Sequence, residues 1–268
     1  MSVDSNGLID PEEDDIDVFD NATYIGMKVS FPDGSTWKLQ SKLRHISHEV
    51  CQAECEGSGA RSEARAVFLC CKVSGTGPPA AMIKIRLQIP WYKTAGELPD
   101  ARAKQAISET PSVFDSEIEA LATLTSRGCS SIPSLLSWKK ERQSINEGVP
   151  GGYKLSILMQ RVPGIDLDPG HPVYLVQMSR EERELLRKAF KAAWLETVRC
   201  GIVNVTHVDE SIGNILWDKE DQKCHLIDWE CWRLSDGRTT WEDRLWDRWN
   251  VLQMRGSWSH FEVSQWRL

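Results

Sequence analysis

Two short runs in the C-terminal half hold residue types that handle metal and phosphate. HVDESIGNILW, residues 207–217, presents His207, Asp209 and Asn214 ahead of an apolar tail. LIDWE, residues 226–230, presents Asp228 directly after Leu226 and Ile227. A hard divalent cation such as Mg2+ takes carboxylate and amide oxygens together with phosphate oxygens. Asn214 and Asp228 offer one of each, with thirteen residues between them. The apolar tail after Asn214 and the Leu-Ile pair before Asp228 read as two short strands. A hairpin of those strands brings both oxygens together. Asp209 would then stand beside a bound phosphate, oriented to take the proton of an attacking hydroxyl. Singly, each residue has an ordinary role: Asp and Asn are common in loops, and Asn214 fits a turn cap. The ordered set is what points to phosphoryl chemistry.

Elements on either side must position this set. Ser179 and Glu182 form a capping box, and a helix is expected from about 180 to 200. Its apolar stripe is Leu185, Leu186, Ala189, Phe190, Ala193, Trp194 and Val198. Upstream, Pro32-Asp33-Gly34 marks a turn, and residues 64–73 and 80–87 read as buried strands joined by SGTGPP. Residues 112–128 keep helical spacing at Phe114, Ile118, Leu121 and Leu124, with Gly128 at the C-terminal cap. Residues 131–138 and 153–162 are further strands, with a charged, Gly-closed loop between them. A second helix is expected after Thr240, facing inward through Trp241, Leu245, Trp249 and Leu252. The chain is thus sheet-rich first and helix-rich second, with the join near 162–166.

The totals set limits on partners. The 268 residues carry a net charge of −7, but residues 1–20 alone hold eight acids and no Lys or Arg. The remaining body is close to neutral, which gives no case for a nucleic acid or an anionic membrane as partner. The acidic stretch 1–20 reads as a disordered tail. There is no run of 18 apolar residues and no secretory leader, so a cytoplasmic location is expected. The eight cysteines then read as free thiols; Cys51 and Cys55 with His45 and His48 form a metal-type group without the usual zinc spacing.

HVDESIGNILW and LIDWE resemble the catalytic and metal-binding loops of the protein kinase-like superfamily, above all its aminoglycoside phosphotransferase and choline kinase branch and uncharacterised fungal kinase-like proteins. The resemblance implies an α+β, two-lobed fold. A small antiparallel-sheet lobe over residues 21–162 would bind nucleotide, and a short helical lobe over 163–268 would carry the catalytic and metal-binding loops. It implies ATP and Mg2+, with Asp209 as catalytic base and His207 bracing its loop. Asn214 and Asp228 are the implied metal ligands. Lys84, in AMIKI, matches the strand lysine that contacts phosphates, and Glu117 matches its helical partner, with Glu119 as rival. Gln160 to Val162 match the hinge that meets an adenine edge.

The sequence departs from the pattern in three places. No full glycine-rich loop covers the phosphates: 56–64 has only Gly57 and Gly59, and 43–50 has none. Val208 follows His207 where arginine is common, and no long activation segment follows Asp228. That shortness favours a small-molecule hydroxyl or amine as acceptor over a protein. A nucleotide- or partner-binding protein without turnover, and an atypical protein kinase, stay open as alternatives. The many C-terminal tryptophans, Trp229 and Trp249 among them, are read mainly as core.

Overall fold

A computed structural model describes residues 17–167, 178–204, 211–251, 253–254 and 266–267. The expected two-lobed α+β architecture is present. A tight turn at Pro32–Ser35 joins β1 (Lys28–Ser30) to β2 (Thr36–His48). It closes through Gly34, at φ +82°, and through the Asp33 carboxylate, which accepts from the Ser35 amide at 3.0 Å. A short helix, α1 (Asn21–Tyr24), precedes it, and α2 (Gln52–Ser58) links β2 to β3 (Glu63–Ser74). β4 (Ala80–Gln88), β5 (Leu135–Arg142) and β6 (Tyr153–Gln160) complete a six-stranded antiparallel sheet in the order β1-β2-β3-β4-β6-β5. Strict alternation builds β3, where Ala64, Ala66, Phe68 and Cys70 point inward.

Two helices follow β4: α3 (Pro99–Ala103) and α4 (Ser112–Ser126), the latter burying Phe114, Ile118, Leu121 and Leu124 as its spacing predicts. β6 ends at Gln160, and the chain crosses to the second lobe through Gly164. A side chain there would meet the Trp217 backbone at 3.0 Å, and φ is +122°, so the crossing needs glycine. β7 (Ile165–Asp166) then joins β9 (Ile215–Asp218), which pairs with β10 (Lys223–Leu226). The long helix α5 (Arg180–Arg199) begins at the expected capping box: the Glu182 amide donates to Ser179 Oγ at 3.1 Å, and the Ser179 amide donates back to the Glu182 carboxylate. β8 (Ile202–Asn204) pairs with β11 (Trp232–Leu234). α6 (Leu245–Arg248) and the two-residue pair β12 (Gln253–Met254) and β13 (Trp266–Arg267) are the last described elements.

The sheet separates two cores. One holds Phe19, Trp37, Phe68, Ile83 and Leu158; the other joins α4 and the opposite face of β6 to α5, β8–β10 and Trp229, Trp246 and Trp249. Trp229 and Trp249 are fully buried there, beside a cluster of Phe190, Trp241 and Trp246. Among the described residues no helix is long and apolar enough to cross a membrane. All eight cysteines are free thiols.

Three sequence expectations are corrected. Residues 17–20, assigned to the acidic tail, are folded: Phe19 packs edge-on against Tyr24 and Phe68, Asp17 pairs with Lys42 at 2.8 Å, and Asp20 caps α1. Their own apolar ring overrides the local excess of acid. Residues 1–16 lie outside the described residues. Lys139–Arg142, expected in a loop, extend β5; an edge strand tolerates charges on its open side. The helix expected after Thr240 is the single turn Leu245–Arg248: the Trp241 indole donates to Asp243 outside any helix, and Asn250 takes φ +53° just beyond the turn; Leu252 lies outside the described residues.

Candidate functional site

A cleft of about 440 Å3 lies between the lobes, and Lys84, Glu117, Gln160, Val162, Asn214 and Asp228 all line it. Each arrives by a different route. Lys84 stands mid-strand on β4, held by β3 on one side and β6 on the other. Glu117 reaches it from α4, donated to by the Lys84 ammonium at 2.8 and 2.9 Å. Both are buried, at 8% and 3% exposure, whereas Glu119 is exposed; the helix face decides between the two glutamates.

The β9–β10 hairpin delivers the metal-type pair. Asn214 ends a 3-10 turn (Ile212–Asn214) that leads into β9, and its carbonyl accepts from the Ile227 amide at 3.0 Å. That bond ties the start of one strand to the end of the other, so Asn214 and Asp228 face the same cleft. Asp228 sits at φ +61°, unusual for a non-glycine residue. It is held there by the buried Trp229 ring beyond it and by Asn204, whose amide donates to the Asp228 carbonyl at 3.3 Å. Gln160 commits its N–H to the Ser134 carbonyl at 2.8 Å at the sheet's exit. His207 and Asp209 lie outside the described residues.

Glu230 is the residue that sequence reasoning passed over. Lys84 also donates to Asp228 at 2.9 Å and to Glu230 at 2.8 Å. Glu230 further pairs with Arg65 at 2.9 Å and with Arg86. Arg86 is bound on its far side by Glu63, at 3.2 Å, and Glu63 accepts from the Tyr153 hydroxyl. The sequence offers each half separately, since Lys84 and Arg86 stand two apart on a buried strand and share a face, and Asp228 and Glu230 flank a buried Trp, but nothing along the chain says that the two halves meet.

The electrostatics follow from crowding. Burial opposes the charge on Lys84, but Glu117, Asp228 and Glu230 together hold its pKa above the ordinary lysine value. Burial also opposes the charge on Glu230, yet Lys84, Arg86 and Arg65 keep its carboxyl well below the usual carboxylate range. Burial pushes Glu117 up to about 7 against the pull of Lys84, with Asp228 and Glu230 adding to the rise.

The donor set fits a hard cation. Asp228 supplies a carboxylate and Asn214 an amide on one wall of the cleft. Among the described residues the one group of three acidic or thiol-imidazole side chains close enough to share an ion is Glu117, Asp228 and Glu230, which surround the Lys84 ammonium. Cys51, Cys55, His45 and His48 do not form such a group. The segments considered for covering phosphates take a different form: 43–48 is the open half of β2, and 56–58 closes helix α2. Leu43 to Ile46 nevertheless line the cleft. Gly75 and Gly77 belong to the plain β3–β4 turn.

No protein-family model and no curated protein matches the chain. Among solved structures it is similar to vaccinia related kinase 3, at 15% identity over 78% of this chain, with a TM-score of 0.36. It is likewise similar to PK-1, a kinase of Cydia pomonella Granulovirus, at 15% identity over 74% of this chain, with a TM-score of 0.37. The chain spans about half the length of each, 51% and 55%.

Proposed function

We propose that the cleft binds ATP with Mg2+ and passes a phosphoryl group to the hydroxyl or amine of a small molecule. The observation that carries this reading is the convergence of Lys84, Glu117, Asn214 and Asp228, from four separate elements, on one cleft. Phosphoryl transfer asks little of a protein beyond positioning and charge neutralisation, and this set supplies both. Lys84 holds the phosphates, and Glu117 fixes the direction of Lys84. Asn214 and Asp228 hold Mg2+, which when bound offsets the charge of the phosphate oxygens. Asp209 orients the acceptor and takes its proton as the acceptor oxygen or nitrogen bonds to the terminal phosphorus and ADP departs. His207 braces that loop, and the backbone of Gln160 to Val162 meets the adenine. The stretch from Asp228 to α6 is short and partly tied down by the β8–β11 pair, which leaves no long platform for a peptide and supports a small acceptor.

A second reading, nucleotide or partner binding without turnover, is favoured by one observation: three carboxylates already surround Lys84. Two measurements separate the readings. Unfolding followed with and without ATP and Mg2+ should show a rise of about 2.7 kcal/mol at a hundredfold excess over Kd. ATP consumption over a panel of alcohols, amines and a general protein acceptor should then show turnover with a small molecule, reduced at least about a hundredfold by Asp209→Asn. Stabilisation without turnover on any acceptor selects the binding reading; turnover on protein alone selects a protein kinase; neither effect overturns the nucleotide site.

A further inference from the structure

Glu230 has no part in the chemistry above, yet it pairs with three cations, two of which, Lys84 and Arg65, line the cleft. Its Oε1 alone accepts from Lys84 Nζ at 2.8 Å, from Arg65 Nη1 at 2.9 Å and from Arg86 Nη2. One carboxylate oxygen has two lone pairs, and three cationic donors converge on it. All three donors stand on the same face of two neighbouring strands. Arg65 and Arg86 are register partners across β3 and β4, and Lys84 is two residues from Arg86. The strands fix where the three side chains start, while the carboxylate comes from the other lobe, on the turn after β10. A point where three cations meet suits an oxygen of a phosphate group as well as it suits a carboxylate.

The count of protons on Lys84 sharpens this. An ammonium has three, and they are shared among Glu117, Asp228 and Glu230. Glu117 belongs to the pair that orients Lys84, and Asp228 to the metal pair. Glu230 is the partner that has to leave before Lys84 can donate to a phosphate. Its side chain is 11% exposed and turns on three single bonds, so leaving does not require unfolding the hairpin.

We propose that Glu230 is an internal competitor for the phosphate position. Its carboxylate occupies the Lys84–Arg86–Arg65 cradle, and a polyphosphate ligand displaces it and takes over all three cations. Glu230 thereby sets the affinity of the cleft for nucleotide and, when in place, ties the two lobes together. Arg65 and Arg86 become phosphate-binding residues in the displaced state. As regulation of the proposed nucleotide site, this rests on that reading, although the competition itself needs only an anion.

The test uses the full chain and calorimetric titration with inorganic tripolyphosphate, metal-free and at low salt, and in parallel with ATP and Mg2+. Glu230→Gln keeps the side-chain volume and removes the charge; it should bind tripolyphosphate about tenfold or more tighter than the natural protein. Glu230→Asp, which keeps the charge but cannot reach the cradle as well, should fall between the two and serves if the glutamine variant does not fold. Adding Arg65→Gln to Glu230→Gln should cancel part of the gain. Unchanged or weaker tripolyphosphate binding in both Glu230 variants overturns the proposal. A purely structural role would lower stability without tightening anion binding, and a role in holding metal would weaken only the ATP–Mg2+ titration; either result also counts against it. If tripolyphosphate tightens but no variant prefers ATP, the competition stands and the nucleotide reading falls. If the natural protein binds ATP with Mg2+ and Glu230→Gln gains nothing, the reverse holds.

Discussion

Lys84 shows most directly how one side chain decides the behaviour of the cleft. Among the described residues its ammonium is the cation that forms an ion pair with both Glu117 and Asp228, and it shares Glu230 with two arginines. Remove it, and buried carboxylates face one another without compensation. Breaking a buried ion pair from one side typically costs about 3–5 kcal/mol. Lys84→Met is therefore expected to lower unfolding stability by about that amount in urea titration, and Lys84→Met with Glu117→Leu should recover part of it. A loss below about 1 kcal/mol would mean that water already compensates the cluster. The pairing of Lys84 with Glu117 was legible through the family resemblance, and helical spacing only chose Glu117 over Glu119. The role of Glu230 was not: three of its partners lie more than a hundred residues away, and no local pattern links them.

At the scale of elements, the β9–β10 hairpin is the device that brings Asn214 and Asp228 to one wall. His225 lies inside it, on β10, buried, with Nδ1 lacking a partner among the described residues. Burial holds its pKa below the usual 6.5, and Lys223 adds to this, while Asp218, Glu196 and Asp221 pull the other way. The sign of the linkage follows. As pH falls through 6.5 the unfolded chain takes up this proton first, so the contribution is complete above that value and is lost progressively below it, toward the lower folded pKa. Comparing urea stability at about pH 7.5 and about pH 5.5, His225→Gln should show a smaller loss on acidification than the natural protein. An equal loss in both would mean that other groups carry the acid sensitivity. The hairpin itself could be anticipated from two short apolar runs. The shortness of the last helix could not: apolar spacing reveals neither the bond between Trp241 and Asp243 nor the positive φ of Asn250.

For the whole molecule, the notable feature is how the lobes share material. α4 and β6, which belong to the sheet lobe by sequence order, contribute Phe114, Leu121, Leu155 and Ile157 to the same core as α5, Trp229 and Trp249. β6 also sends Leu158 to the opposite core. Lobes that share a core and a strand in this way are expected to melt together. Unfolding should therefore be a single transition, with the fluorescence of the twelve tryptophans, which include Trp37 in one core and Trp229 and Trp249 in the other, coinciding with far-ultraviolet circular dichroism. Two resolved transitions would show that the lobes are independent units joined by the cleft alone.

What the sequence determined by itself was local: alternation for β3, spacing and capping for α4 and α5, and two motifs rich in oxygen ligands. These depend on neighbours within a few residues, and physics at that range can be read along the chain. Tertiary structure alone decided which charges meet. Arg65, Arg86, Lys84 and Glu230 are brought together by strand register and by the approach of the hairpin across the cleft. Electrostatic partners are chosen by distance in space, and a linear pattern carries no measure of that distance until the chain has folded.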